Sequence, residues 1–173
     1  MTHRATTDES EPNQVAQMFE EILGTLPSGC GSLQRKEEGK EAPAEVSVIP
    51  SNVASAQFGA MFFSGKLYGA FFGRAPFLTT YEAPWELNLG RHDGFDRQLG
   101  ALKKMCEAVV AGSCEHRIGI FSLTGTITAS DGTRFRVVDI PMFHPRRVRT
   151  SIIYEPYDRK SESTSKSSPA QPL

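Results

Sequence analysis

The residue types that do chemistry fall into a few short groups in this chain. Ser64-Gly65-Lys66 invites comparison with a phosphate loop, in which backbone amides cradle phosphate and a hydroxyl after the lysine holds magnesium. That loop needs G-x4-G-K-[ST]. Here Gly59 and Gly65 stand one residue too far apart and Leu67 occupies the hydroxyl position, so nucleotide binding is not expected. Cys114-Glu115-His116, with Cys106, offers metal-ligating atoms. Zinc takes four ligands, usually in two close pairs, and no second pair follows, so no metal is expected. Cys106 fits better as a small core residue on a helix stripe. His92 with Asp93 and Asp96, and His144 by itself, are acid–base candidates. Histidine catalysis needs a nucleophile or carboxylate delivered by the fold, and the spacing identifies none.

The remaining group is basic. Arg146-Arg147-Val148-Arg149 follows Pro145, and Arg134 and Arg136 precede it at alternate positions. Alternate positions of a strand project from one face. A face of arginines suits the phosphates of lipid or nucleic acid, with binding that weakens as salt rises. The plainer account is an edge strand guarded against aggregation by charge. Arg134, Arg136, Arg146, Arg147 and Arg149 are thus the candidate anionic-surface residues.

Between Phe58 and Phe77 lie six of the chain's eleven phenylalanines, interleaved with Gly59, Gly65, Gly69 and Gly73. From Phe58 to Gly73 the segment holds one charge, Lys66, and no candidate nucleophile beyond Ser64. It builds packing surface rather than chemistry. Phe58, Phe62, Phe63, Phe71 and Phe72 are therefore candidates for an interaction or assembly surface. Glycine within strands lets a ring or a second backbone approach closely.

The elements that must position these groups can be read along the chain. Val15, Met18, Phe19, Ile22, Leu23 and Leu26 recur at helical spacing after Ser10, a cap position, with Pro12 in the first turn and Gly24 and Pro27 at the end. From Ser28 to Ala44 apolar residues are scarce, which reads as a linker and leaves the first helix tethered rather than integral. Val46, Val48 and Ile49 begin a strand broken by Pro50. Gln57 to Phe63 and Lys66 to Phe72 read as a hairpin about Ser64-Gly65. Phe95, Leu99, Leu102, Cys106 and Val109 mark a second helix, with Asp93 and Gly112 at its ends. Arg117 to Thr128 then reads as one strand, turning at Asp131-Gly132 into Arg134 to Ile140, and Val148 to Tyr154 adds an edge strand. Phe121, Leu123 and Ile127 alternate with Ser122, Thr124, Thr126 and Thr128, which predicts one wet face. The serine-rich stretch from Lys160 reads as a disordered tail.

This pattern predicts an α+β core over residues 45–157, a largely antiparallel sheet covered by one amphipathic helix. Residues 1–44 form a helix and polar linker ahead of it, and residues 158–173 a tail. The chain has 173 residues, 39% of them hydrophobic, enough for one domain with a core. Cys30, Cys106 and Cys114 are odd in number, which favours a reducing, cytoplasmic compartment over a secreted disulfide framework. The polar first residues resemble no secretory signal, and no apolar run reaches the length of a transmembrane helix. Residues 1–45 carry 4 basic and 9 acidic side chains, and residues 134–173 carry 8 and 4, within a net charge of −1. An acidic front and basic back can pair head to tail or meet an anionic surface.

Leu67-Tyr68-Gly69-Ala70-Phe71-Phe72, then Pro76-Phe77, Thr80-Tyr81 and Arg91-His92-Asp93-Gly94-Phe95, give an order of features over about residues 66–127. That order resembles the matrix proteins of rhabdoviruses. The resemblance implies a structural protein of virion assembly that self-associates and bridges an anionic membrane surface and nucleoprotein, with no catalytic role and no cofactor. Two features depart from that family. Tyr154-Glu155-Pro156-Tyr157 is not a Pro-Pro-x-Tyr late motif, and the N-terminus is acidic where that family often carries a lysine-rich arm. The alternative is a small cytosolic binding module whose Phe-rich hairpin lines an apolar pocket; an enzyme ranks third.

Overall fold

The computed structural model describes residues 10–40, 42–74, 77–82, 94–119, 122–139 and 150–159. In chain order the elements are α1 (Glu11–Gly24), β1 (Gly31–Lys36), β2 (Ala44–Pro50), β3 (Gln57–Phe63), β4 (Lys66–Arg74), β5 (Phe77–Glu82), α2 (Phe95–Val110), β6 (Cys114–Ile118), β7 (Leu123–Thr128), β8 (Arg134–Asp139) and β9 (Thr150–Ile153). The strands form two antiparallel sheets, β1-β2-β3-β4-β5 and β8-β7-β6-β9. The class is α+β. Two sheets and two helices replace the single sheet and single covering helix that the sequence suggests.

Alternation builds the five-stranded sheet. Phe58 pairs with Phe72 and Ala60 with both Val46 and Ala70, so one row of side chains points to one face. All five are buried in a single core with Val15, Phe19 and Ile22 of α1 and Leu102, Met105 and Val109 of α2. The Phe19 and Phe58 rings meet edge to face, with centroids 5.7 Å apart. The β3–β4 hairpin turns at Ser64 and Gly65, whose φ angles of 49° and 73° are both positive, as a two-residue hairpin turn of matching twist requires.

The first helix is not a tethered appendage. Val15, Ala16 and Phe19 are fully buried, and Met18 and Ile22 nearly so. An amphipathic stripe of this size stabilises the molecule only when docked. Glu11 fixes the docking angle: its carboxylate accepts the Leu67 N–H at 2.7 Å and the Lys66 ammonium at 2.8 Å. Ser10 holds the cap position without a side-chain cap bond, and its carbonyl accepts the amides of Asn13 and Gln14. Nor is the segment after it wholly a linker. Gly31–Lys36 pairs along β2 from Gly31↔Pro50 to Lys36↔Glu45. Most of its side chains are exposed, so the backbone ladder holds it and the hydrophobic pattern is silent. The folded unit accordingly includes α1 and β1.

Downstream, Arg117 to Thr128 is not one strand. The Gly119 N–H donates to the Ser122 carbonyl at 2.7 Å, closing a turn that separates β6 from β7. β9 pairs with β6 and lies at the sheet edge, as expected. The residues after it are strapped to the core. The Tyr157 hydroxyl donates to the Ala56 carbonyl at 2.6 Å, its N–H donates to Val110, and the Ser55 hydroxyl donates to the Pro156 carbonyl. Among the described residues no helix is long and apolar enough to cross a membrane. The proposed tail from residue 160 lies outside the described residues.

Candidate functional site

Where the two sheets meet, a polar chain is sealed inside the protein. His116 on β6 stands opposite Gly125 on β7, and both face inward. One ring nitrogen, Nδ1, lies 2.7 Å from the Tyr154 hydroxyl, and Nε2 is hydrogen-bonded to the Thr79 hydroxyl on β5. Phe72 of β4 stacks on the imidazole, with centroids 4.5 Å apart and planes within 9°. A Cβ at Gly125 would stand 2.9 Å from both Phe72 and Thr79, so the bare glycine is what admits them.

Hydroxyl, imidazole and phenol in series follow the order of a nucleophile, a base and an orienting group. The burial decides against that chemistry. Thr79 and His116 have no exposed surface and Tyr154 has 2%. Burial lowers the His116 pKa to about 4 and raises that of Tyr154 to about 12. The imidazole is neutral, each nitrogen has a partner, and the assembly acts as a rivet between sheets. Cys114 and His116 point inward while Glu115, between them, points outward, so the Cys-Glu-His run cannot chelate as a unit. Burial also pushes the Cys114 thiol up to about 12 and Cys106 higher still, which makes both inert packing residues. Among the described residues no cluster of histidine, cysteine and carboxylate side chains has metal-binding geometry.

The phenylalanines separate by face. Phe58, Phe62 and Phe72 are fully buried in the core. They cannot present an assembly surface or line an open pocket. Phe71 points to the opposite face of the sheet and lies across Gly59, its cross-strand partner, where an added Cβ would come within 2.4 Å of the ring. This is the ring-over-glycine approach that glycine in a strand implies. Phe63 alone among the five is exposed, at 46%, and meets the exposed Tyr68 edge to face at 5.3 Å.

The outer face of the four-stranded sheet carries the polar surface. Thr124, Thr126 and Thr128 stand in a column on β7, each half-buried. Their cross-strand neighbours on β8 are Val138, Arg136 and Arg134, so both arginines share the threonine face and both are exposed. On the other side, Glu115 pairs with Thr126 and Arg117 with Thr124. Arg117 is neutralised by Glu115 at 2.9 Å. Arg134 and Arg136 meet no carboxylate among the described residues. The turn that presents them is fixed by Asp131, which accepts the Lys104 ammonium and the Thr133 N–H, both at 2.9 Å; these bonds hold its carboxyl well below the usual range.

The structure thus unites Arg134 and Arg136 with a threonine column that reads in the sequence only as a wet face. Arg117 and the Thr79–His116–Tyr154 chain escape sequence reasoning. The alternation of Cys114, His116 and Ile118 was the available signal for an inward-facing histidine. Arg146, Arg147, Arg149, His92, Asp93 and His144 lie outside the described residues. No protein-family model, no curated protein and no solved structure matches this chain.

Proposed function

We propose that this protein is a non-enzymatic binding and assembly protein that engages an anionic surface through the outer face of its four-stranded sheet. The observation that carries the reading is the pair Arg134 and Arg136. They are exposed, lie on one face, and have no carboxylate partner among the described residues, while the neighbouring Arg117 and Lys104 are paired. Unpaired guanidinium groups attract phosphate, sulfate and carboxylate groups, and salt screens the attraction. Binding to vesicles containing phosphatidylserine, to polyphosphate and to heparin, measured from low to high salt, tests it. The expected result is salt-sensitive binding to at least one of these, weakened at least tenfold in the Arg134→Gln/Arg136→Gln variant. Salt-insensitive binding, or equal binding by variant and parent, overturns it.

A second surface supports self-association, the other half of the matrix-protein reading. Phe63 and Tyr68 form an exposed aromatic pair at the tip of the β3–β4 hairpin. Sedimentation should show concentration-dependent association that Phe63→Ser/Tyr68→Ser reduces without loss of folding. A strictly monomeric parent protein removes this half of the proposal.

A further inference from the structure

Resting on the anionic-surface reading, the geometry points to an acidic polysaccharide, a chain bearing uronic carboxylates, as the class of ligand that this face takes. At one end of the face lies an open groove of about 220 Å³, whose lining includes Ser113, Glu115, Thr126, Thr128 and Ile153. Thr126 and Thr128 stand directly opposite Arg136 and Arg134, so the groove and the two free cations are contiguous across one strand pair. Across the other pair, Glu115 is the register partner of both Thr126 and Ile153.

The groove therefore combines three kinds of group. The arginines meet carboxylates. The hydroxyls of Ser113, Thr126 and Thr128 donate to and accept from ring hydroxyls, and the Glu115 carboxylate accepts from them. Exposed Ile153, at 74%, offers an apolar wall to the C–H face of a pyranose. A nucleic acid strand fits less well, because base stacking needs aromatic platforms and the outward positions of these strand pairs carry none among the described residues, Phe135 being buried on the inner face. A phosphate-only ligand would engage the arginines and the threonine hydroxyls but leave the apolar Ile153 wall and the Glu115 acceptor unused. The two arginines sit at alternate strand positions, about 7 Å apart along β8. That spacing lets them act on one carboxylate together or on charges of successive groups along a chain.

The test is a titration of the full chain, followed by amide chemical shifts and by calorimetry. The probes are an oligogalacturonate, a neutral glucan oligomer of equal length, and inorganic polyphosphate. The expected result is binding of the oligogalacturonate with shifts at Ser113, Glu115, Thr126, Thr128 and Ile153, and no binding of the neutral glucan. Arg134→Gln/Arg136→Gln should weaken uronate binding at least tenfold. Thr126→Val/Thr128→Val, which keeps strand propensity and removes only hydroxyls, should weaken uronate binding severalfold. If polyphosphate binds as tightly as the uronate and the threonine variant changes neither, the acidic-sugar assignment fails while the anionic-surface reading stands. If no anion binds, both fail.

Discussion

His116 ties stability to pH through a single buried ring. Its pKa falls from the ordinary value of 6.5 to about 4 because burial penalises the imidazolium. In the unfolded chain the ring protonates below pH 6.5, so between 6.5 and 4 the unfolded state binds more protons. Stability is therefore complete above pH 6.5 and declines as pH falls toward 4, by about 3 kcal/mol over that window. Urea denaturation at pH 7 and 4.5 should show a loss of about 2–3 kcal/mol from this group, and His116→Gln should flatten the slope over the same interval. A variant with an unchanged slope would mean that the ring is solvated. Gly125 stands beside it. Gly125→Ala forces a methyl against Phe72 and Thr79 at 2.9 Å, and should cost about 1–3 kcal/mol as overpacking, read as a lower denaturation midpoint. The phenylalanines give opposite outcomes by position. Phe62→Ser should destabilise by about 3–5 kcal/mol, because Phe62 is fully buried. Phe63→Ser should leave the midpoint nearly unchanged.

At the scale of elements, α1 is a structural member, and limited proteolysis should leave a resistant fragment that retains Glu11–Gly24. Phe19→Ala should cost about 3–5 kcal/mol, since the ring is wholly buried against Phe58. A fragment beginning near residue 45 with native stability would contradict the docking. Both helices and the β3–β4 hairpin were legible in the sequence because their apolar residues recur at the period of the element: Val15, Phe19 and Ile22 in one, Leu102, Cys106 and Val109 in the other. What escaped had no such signature. β1 is exposed along most of its length and is held by backbone bonds. β5 inverts the usual polarity, burying Thr79 and exposing Leu78 at 43%, because Thr79 serves His116 rather than solvent. The docking of α1 depends on a contact between Glu11 and Leu67, 56 residues apart, which no local pattern reveals. Of the proposed binding face, Arg134 and Arg136 were legible from alternation. The register that sets them against Thr126 and Thr128 is a property of strand pairing and becomes visible only in the folded sheet.

The whole molecule is closed from both directions along the chain. α1 covers the sheet from the N-terminal side, while Tyr154 completes the His116 rivet and Tyr157 reaches the Ala56 carbonyl, 101 residues earlier. Contacts so distant in sequence make for a slow search, on a scale of milliseconds to seconds. They also carry a consequence for synthesis on the ribosome. A nascent chain that has released residues up to the end of β8 already contains the five strands of the first sheet and three of the second. It still lacks β9 to cover the edge of β6, and Tyr154 to satisfy a histidine already placed at the seam. Such an intermediate exposes a row of unpaired backbone groups beside an unfilled interior, the condition in which strands recruit other chains. A chain truncated after residue 139 should therefore aggregate or be degraded. The full chain should fold, so that the short segment from Thr150 to Tyr157 acts as the clasp on which the rest of the protein waits.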